Sequence, residues 1–195
     1  MAPETKYSHV CAPWWDEVVI VAGGPSAVNF DFDRVGNRRL LLVNDGYKRL
    51  TVRTLHEREW AAFSVDPGWI RRHSCLLEVF LGDHYACLPL ETHPECAGIR
   101  GVTYLQRDPE AGLSLEPTHL RTGGNSGYAA INLAVLKRAR SIYLVGYDMD
   151  PLEEKFRSWA PKFDAMVPQL SDLGVKVLNC NPKSHITAFP RGNFL

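Results

Sequence analysis

The sequence predicts one α/β domain in which a mostly parallel sheet is flanked by helices. Short apolar runs alternate along the chain with stretches of helical periodicity, which is the pattern of parallel strands joined by helices. Four of the apolar runs end in small or polar residues, as strands do at the carboxyl edge of such a sheet. The chain has 195 residues, no internal repeat and no evident linker, so we expect a single domain over residues 1–195.

Seven short apolar runs, separated by polar turns, are the strand candidates. In chain order they are 18–22 (VVIVA), 40–43 (LLLV), 61–65 (AAFSV), 85–90, 102–105, 141–145 (SIYLV) and 175–178. Residues 108–119 are rich in turn-forming residues, which predicts a surface loop before the last two strands.

Three other stretches are the helix candidates. From Ser126 onward the apolar positions recur at helical spacing, which predicts an amphipathic helix: Ala129, Ala130, Leu133, Ala134 and Leu136. Residues 156–173 carry a second helical stripe, and Pro161 and Pro168 are expected to split it. Residues 69–80 are the third candidate. The five tryptophans are expected to pack in the core or at its edge rather than to stack on nucleic-acid bases.

The charge balance gives no support for a nucleic-acid or membrane partner. Lys plus Arg and Asp plus Glu both number 22, so the formal net charge is zero and no global field attracts polyanions. No apolar run approaches the roughly 20 residues that a membrane span needs. The first residues show no basic segment followed by an apolar one, so we expect no signal peptide.

The cysteines predict reduced thiols rather than disulfides or a metal site. They are odd in number, widely spaced and without a Cys-x-x-Cys pair: Cys11, Cys75, Cys87, Cys96 and Cys180. The set that comes closest to metal ligands has the spacing H-x2-C-x5-H-x2-C, which is not one we associate with a zinc module: His84, Cys87, His93 and Cys96. No metal ligands are therefore assigned.

Two glycine-containing loops are candidate phosphate-binding segments. Gly23, Gly24, Pro25 and Ser26 follow the first strand, where glycines let backbone N–H groups come close to an anion. The segment is neither G-x-G-x-x-G nor a Walker loop, and a tight turn is the alternative interpretation.

The second loop, residues 123–127 (GGNSG), precedes the clearest helix. Asn125 or Ser126 can cap that helix, and its first-turn amides are free to donate to phosphate. Gly123 and Gly124 are not needed for capping, which favours a ligand-binding role.

Polar residues also follow the other strands. Asn44, Asp45 and Asp66 end the second and third strands, and the amide of Asn44 can bind a base edge or ribose hydroxyls. Gly146 begins the loop that contains Asp148 and Asp150, whose carboxylates can hold Mg²⁺ or act as a base. The alternative is a turn in which these aspartates bind their own backbone. Ser184 and His185 lie just beyond the last strand, although a lone histidine is more often structural or simply exposed.

Five segments follow one another along the chain: VVIVAGGPSA, LLLVNDGYKRL, WAAFSVDPGWIRRH, GGNSGYAAINLAVLKRARSIYLVGYDM and VKVLNCNPKSHITAFP. Their residues and order resemble a family of phage and prophage proteins that is similar to the domain called 6-hydroxymethylpterin diphosphokinase MptE-like. The plan of Gly-Pro-Ser after strand one, Asn after strand two and Ser-Gly-helix-strand-Gly-x-Asp also resembles bacterial sialyltransferases that use a CMP-activated sugar. The resemblance covers about residues 17–190, the expected core of the domain.

The resemblance implies a Rossmann-like nucleotide-binding fold. It implies nucleotide or phosphate contacts for Gly24, Pro25, Ser26, Asn44, Asn125 and Ser126, and it places Asp66 and Asp148 at the reacting groups. With the neighbouring residues, the full set of candidate binding residues is Gly23, Gly24, Pro25, Ser26, Asn44, Asp45, Gly124, Asn125, Ser126, Gly146 and Ser184. The candidate catalytic residues are Asp66, Asp148 and His185.

The expected function is that of a transferase that binds a nucleotide-activated donor. The first candidate is a glycosyltransferase-like enzyme that uses a CMP-type nucleotide sugar. One alternative is a diphosphokinase of the MptE-like type that uses ATP and Mg²⁺, the cation being held by Asp66, Asp148 and Asp150. A second is a non-catalytic nucleotide-binding phage accessory protein. The catalytic lid histidine of the sialyltransferases has no counterpart between Asp148 and His185, so His185 or a carboxylate would have to replace it.

The expected location is the cytoplasm of a phage-infected or prophage-carrying bacterial cell. The expected partner is the small-molecule nucleotide donor, with no nucleic-acid or membrane binding. The sequence leaves open the acceptor and the oligomeric state, a homo-oligomer included.

Overall fold

A computed structural model of the chain describes residues 15–51, 54, 59–79 and 82–194. Cys11, Trp14 and Phe80, the last residue of one predicted helix, lie outside the described residues. No helix in the described ranges is both long enough and apolar enough to cross a membrane.

The described chain folds around one parallel sheet. Its eight strands are β1 (Glu17–Val21), β2 (Arg39–Val43), β3 (Trp60–Ser64), β4 (Asp83–Cys87), β5 (Val102–Asp108), β6 (His119–Arg121), β7 (Ser141–Val145) and β8 (Lys176–Asn179). They lie in the order β6-β5-β4-β3-β2-β1-β7-β8, and each neighbouring pair is parallel. The predicted α/β class, with helices flanking a parallel sheet, is therefore confirmed, and the arrangement is Rossmann-like.

Five α-helices accompany the sheet in the described ranges. They are α1 (Pro67–Arg72), α2 (Ser74–Val79), α3 (Ser126–Leu136), α4 (Glu154–Trp159) and α5 (Val167–Asp172). A 3-10 helix over Ala160–Met166 separates α4 from α5, with Pro161 and Pro168 near the starts of the two later segments. The prediction that these prolines split the helical stripe is confirmed, because proline is tolerated in the first turn of a helix and not in its interior.

The chain reverses direction across the sheet at α3. From β1 to β6 the strands are added outward on one side of β1, and α3 then returns over β3 and β2 so that β7 pairs with the other side of β1. This strand order creates a switch point between β1 and β7. In an open parallel sheet, the crevice beyond the carboxyl ends of the strands at a switch point is where ligands bind.

The sheet is covered on both faces. Val18 and Ile20 of β1 pack in one hydrophobic cluster with α3, whereas Val19 and Val21 pack in another with Phe194. Since successive side chains of a strand point to opposite faces, the two clusters lie on the two sides of the sheet. This burial on both faces explains why the strands appear in the sequence as continuous apolar runs.

Two elements differ from the predictions. The chain before α3 contains β6, which lies at the end of the predicted loop and extends the sheet beyond β5. The predicted helix over 69–80 is replaced by α1 and α2, since the chain turns at His73, the residue that ends α1. Both differences concern segments of six residues or fewer, whose periodicity is too short to define them.

Candidate functional site

A cavity of about 1130 Å³ opens at the carboxyl edge of the sheet, over the switch point. Its walls are the exit loops of β1, β2, β3, β7 and β8 together with the first turn of α3. It is lined by most of the predicted site residues: Gly23, Gly24, Pro25, Ser26, Asn44, Asp45, Asp66, Gly124, Asn125, Ser126, Gly146, Asp148 and His185. Of the predicted set, Ser184 is the member that the structure does not bring to the cavity.

Ser184 is buried and its hydroxyl is used within the protein. The Oγ donates to the carbonyl oxygen of Tyr147 and accepts from Asn179 Nδ2 at 2.8 Å and from Ile186 N at 3.1 Å. These bonds join the exit loop of β8 to that of β7. Although Ser184 is the sequence neighbour of His185, its side chain lies behind the cavity wall, whereas His185 lines the cavity.

The loop after β1 packs against the loop after β7. A Cβ atom on Gly24 would overlap the Oδ2 of Asp148 and the carbonyl oxygen of Gly146, whereas a Cβ on Gly23 would meet no other described residue within 4 Å beyond its chain neighbours. Gly146 has a φ of 76°, and a Cβ there would press on the carbonyl oxygen of Ala22. Gly24 and Gly146 are thus required for the close approach of the two loops, and Gly23 is the glycine that borders open space.

Asp148 connects three exit loops through its carboxylate. Oδ2 accepts from Ser26 Oγ at 2.9 Å, Oδ1 accepts from Asn181 Nδ2 at 2.8 Å, and Ser26 N lies 3.3 Å from both oxygens. The carbonyl oxygen of Asp148 also accepts from His185 N at 2.9 Å. We call this set of contacts between Ser26, Asp148 and Asn181 the Asp148 clasp. In the clasp the backbone N–H of Ser26, which the sequence predicts to bind a phosphate, has the carboxylate of Asp148 as its acceptor.

The first turn of α3 forms the next part of the wall. Asn125 is the N-cap, and its Oδ1 accepts from Tyr128 N at 2.8 Å. Asn125 is 6% exposed, and its Nδ2 has no hydrogen-bond partner among the described residues. A buried amide without a partner is uncommon and calls for a physical explanation.

The two glycines before the cap have a conformational role. Gly123 has a φ of 51° and Gly124 a φ of 96°, values that residues with a side chain rarely adopt. A Cβ on Gly123 would also press against the ring of Tyr128. The backbone turn before α3 therefore requires glycine at both positions, whether or not a ligand binds there.

Tyr147 holds this first turn against β7. Its hydroxyl donates to the carbonyl oxygen of Gly127 at 2.9 Å, and burial raises the pKa of the phenol. Ser126 is held from the other side, because its Oγ accepts from Val65 N and from Asn44 Nδ2, each at 3.2 Å. Asn44 itself has a φ of 49°, which orients its side chain toward α3. The start of α3 is thus bonded to the exits of β2, β3 and β7.

Two of the predicted carboxylates have local partners. Asp45 accepts from Trp69 Nε1 and Lys48 Nζ, both at 2.8 Å. Burial raises the pKa of Asp45, but these two hydrogen bonds and the nearby positive charges outweigh it, so that the net shift is downward. Asp66 caps α1, its Oδ1 accepting from Trp69 N at 3.2 Å. Asp66 therefore has a capping role at the start of α1, whereas Asp45 is bound by two side chains.

His185 differs from these carboxylates because its side chain is not bonded to the described part of the protein. It is exposed, it lines the cavity, and its imidazole makes no hydrogen bond or ion pair with the described part of the chain. An imidazole in this position is able to accept a proton from a bound hydroxyl group.

Within the described ranges, no three His, Cys, Asp or Glu side chains come together as metal ligands. The carboxylates of Asp66, Asp148 and Asp150 line the same cavity without converging on one point. The thiol of Cys87 is also a poor ligand, because burial raises its pKa to about 12 and the thiolate is the form that binds metals.

The cavity also contains residues that no sequence pattern indicates. The charged side chains of Arg72 of α1, Arg107 of β5 and Lys183 line it without a hydrogen bond or ion pair to the described residues, and Asn181 lines it beside them. Phe156 and Trp159 of α4 also line it, although the tryptophans were expected in the core or at its edge. No sequence motif surrounds the cations, and the spacing of Phe156 and Trp159 is equally compatible with core packing.

No family model, curated protein or solved structure matches the chain at a significant level.

Proposed function

We propose that the protein is a transferase that binds a nucleotide-activated donor in the cavity over the switch point, with transfer of a sugar as the first candidate. The observation that carries the proposal is the N-terminus of α3, an 11-residue helix whose cap, Asn125, has a buried and unpartnered amide nitrogen in the cavity wall. First-turn amides have no acceptor further back in their helix, and the helix dipole adds positive potential there. A phosphate group satisfies both the amides and the Asn125 nitrogen.

The cations of the cavity support an anionic ligand. Arg72, Arg107 and Lys183 project from three different elements and have no anionic partner in the described ranges. Guanidinium groups bind phosphate oxygens in pairs, so the two arginines suit a ligand that carries more than one phosphate oxygen. A nucleotide-linked donor has this chemistry.

The proposed transfer needs a base for the acceptor and stabilisation of the departing phosphate. The acceptor hydroxyl oxygen attacks the anomeric carbon of the donor, its proton passes to the imidazole of His185, and the bond between that carbon and the phosphate oxygen breaks. The electron pair leaves on the phosphate oxygen, where the amides of α3 stabilise the charge. Turnover that persists in His185→Asn would assign the base to another group.

Asp148 has a positioning role in this proposal. Both oxygens of its carboxylate accept hydrogen bonds from Ser26 or Asn181, which leaves little capacity for a proton from the acceptor. The clasp instead holds the loops after β1, β7 and β8 in the arrangement that forms the cavity. The backbone of His185 is fixed to the same loop, because its N–H donates to the carbonyl oxygen of Asp148.

Calorimetry and thermal-shift measurements with CMP, UDP, GDP and ATP, each with and without Mg²⁺, test the proposal. A ligand at 100 times its dissociation constant stabilises the fold by about 2.7 kcal/mol, which is readily measured. Preference for CMP without metal supports sugar transfer, and a strict requirement for ATP with Mg²⁺ supports diphosphate transfer. Release of free nucleotide from a nucleotide sugar separates an enzyme from a binding protein. Binding of none of the four contradicts the proposal.

The substitution Asn125→Asp tests the phosphate site itself. The aspartate keeps the oxygen that caps Tyr128 N, and its charge is favoured at a helix N-terminus, which offsets part of the desolvation cost of a carboxylate at this buried position. It replaces the Nδ2 donor with a negative charge, so the affinity for the bound nucleotide falls by about 10- to 100-fold, the equivalent of a hydrogen bond to a charged group.

The control for this substitution is Asn125→Ser, which keeps a capping oxygen, removes the Nδ2 amide group and adds no charge. Its affinity should lie between those of the wild type and Asn125→Asp. Equal nucleotide affinity in all three proteins would remove Asn125 from the binding site.

A further inference from the structure

Helix α4 directs its aromatic side chains toward the cavity rather than into the core. None of its six residues is fully buried, yet Phe156 and Trp159 are half-buried and lie three positions apart, on one side of the helix. Their ring centroids are 5.8 Å apart at an angle of 56°, and both rings line the cavity. Since the hydrophobic core does not account for them, we treat the pair as an aromatic shelf within the site.

The shelf lies directly beside the start of α3. Trp159 Nε1 is 3.4 Å from the position that a Cβ of Gly124 would occupy. Lys162, three residues further on, donates from Nζ to the carbonyl oxygen of Gly123 at 2.9 Å, which ties this segment to the glycine turn. The indole is therefore adjacent to the helix end at which the donor phosphate is proposed to bind.

The polar groups of the cavity complement the shelf. Asp150, Glu153, Asn181 and His185 line the same space and offer both hydrogen-bond donors and acceptors. An apolar surface combined with a few polar side chains is the usual lining of a small-molecule site. A pyranose ring matches this lining, because it presents C–H groups on its faces and hydroxyl groups around its edge.

We propose that the Phe156–Trp159 shelf binds the sugar ring that is bonded to the donor phosphate, which is the ring to be transferred; this inference rests on the proposed phosphate site at α3. In a nucleotide sugar, the base is separated from the phosphate by the ribose, whereas the transferred sugar is bonded to the phosphate directly. A shelf that adjoins the phosphate site is therefore in position for the sugar rather than the base. The donor class that follows is a nucleotide-linked pyranose.

The test compares the nucleotide with its sugar conjugate in the variant Trp159→Ala. The probes are CMP, UDP and GDP, together with the CMP-, UDP- and GDP-sugars that correspond to them, measured by calorimetry. Affinity for the nucleotide sugar should fall by about tenfold, as expected for loss of one stacked ring, while affinity for the nucleotide alone stays within about twofold. Trp159→Phe keeps an aromatic ring and should restore most of the affinity for the sugar conjugate.

Arg157→Ala is the matched control, since Arg157 belongs to the same helix, is exposed and does not line the cavity. It should leave both affinities unchanged. An equal loss for nucleotide and nucleotide sugar in Trp159→Ala would place the base on the shelf and overturn the inference. Unchanged affinity for both ligands would overturn it as well.

A second measurement separates this inference from the proposed function. Saturation-transfer NMR with free methyl pyranosides reports whether a sugar contacts the protein without any nucleotide. If no nucleotide binds but pyranoside contacts are present and disappear in Trp159→Ala, the shelf is a sugar site and only the donor proposal fails. If nucleotides bind while neither pyranosides nor the sugar conjugates depend on Trp159, the donor proposal stands and the shelf inference fails.

Discussion

Gly23 and Gly24 are neighbours in the chain but have different surroundings. Gly24 has a φ of −62° and a ψ of 154°, a conformation that alanine adopts without strain. The obstacle to a side chain at Gly24 is contact, because its Cβ would overlap atoms of Gly146 and Asp148. Apart from its chain neighbours, no described residue has an atom within 4 Å of the Cβ position of Gly23. At this turn the side-chain space, and not the backbone angle, determines which glycine is required.

We therefore expect Gly24→Ala to destabilise the protein and Gly23→Ala to be tolerated. Overpacking of this kind costs about 1–3 kcal/mol, whereas substitutions at open surface positions usually change stability by less than about 0.5 kcal/mol. Urea unfolding of both variants and the wild type measures the difference. If the two alanine variants are equally stable, the loops after β1 and β7 do not pack as closely as described.

The glycines also show what sequence analysis could and could not resolve at the scale of single residues. Gly24 and Gly124 were selected as ligand-binding because they follow a strand or precede a helix, and both do line the cavity. Their requirement for glycine, however, comes from close approach to Asp148 at Gly24 and from a φ of 96° at Gly124. Glycine is required wherever the backbone comes close to a ligand and equally wherever it comes close to another loop. The sequence alone therefore cannot distinguish the two causes.

At the scale of elements, β6 depends on a buried side chain of α3. Asn132 is fully buried, its Oδ1 accepts from Ser114 N at 2.9 Å and Arg121 N at 3.0 Å, and its Nδ2 donates to Ser114 O at 2.8 Å. The loop before β6 is held again by Tyr128, whose hydroxyl bonds the backbone of Gly112. The edge strand is thus bonded to the helix that follows it as well as paired with β5.

The substitution Asn132→Leu should loosen this attachment. It keeps a similar volume but removes the partner of two N–H groups and one carbonyl in the half-buried residues Ser114 and Arg121, at a cost of about 1–3 kcal/mol for each group that cannot reach water. The free energy of unfolding should fall by several kcal/mol, and hydrogen exchange should accelerate over residues 113–121. Ser114→Ala is the control, because it keeps the backbone groups that Asn132 binds. Unchanged exchange over these residues in Asn132→Leu would show that β6 is held by pairing with β5 alone.

Long apolar and helical patterns were sufficient to predict most elements. The strand over Ser141–Val145 was predicted with the bounds that it has, since it is a continuous apolar segment. The helix was predicted to start at Ser126, as it does, but it is buried on nearly all sides rather than amphipathic, because it packs between the sheet and the segments around it. β6 was missed because three residues, His119, Leu120 and Arg121, show no period, and their pairing is imposed by Asn132 and by β5. Elements whose stability comes from tertiary contacts leave little local signal.

At the scale of the whole molecule, the order of the strands assembles the site. Ser26 and Asp148 are 122 positions apart, yet the placement of β7 beside β1 brings them to 2.9 Å. The general location of the cavity followed from the sequence, because the polar strand ends of a parallel sheet share one edge. The cations Arg72, Arg107 and Lys183 could not be predicted, since they reach the cavity only through the packing of separate elements.

The Asp148 clasp should therefore act on three distant loops together. Asp148→Asn replaces one carboxylate oxygen with an amide that cannot accept. Asn181 cannot adapt by turning its own amide, because its Oδ1 already accepts from Lys183 N at 2.9 Å. Ser26 Oγ can rotate to accept, so we expect a loss of about 1.5–3 kcal/mol, the contribution of hydrogen bonds to a charged group, rather than collapse of the fold.

Hydrogen exchange distinguishes a loss confined to one loop from a loss at the clasp. In Asp148→Asn the amides of residues 23–26, 146–150 and 181–185 should all exchange faster, while those of β1, β2 and β7 keep their protection because the sheet is intact. Ser26→Ala removes one partner and should give the same pattern with a smaller amplitude. Asp150→Asn is the matched control, since Asp150 lines the same cavity and, among the described residues, its carboxylate accepts from Leu152 N alone, through the Oδ1 that asparagine keeps; it should change none of the three loops. Acceleration limited to residues 146–150 in Asp148→Asn would mean that the loops are held independently, and the cavity would then not depend on the carboxylate that joins them.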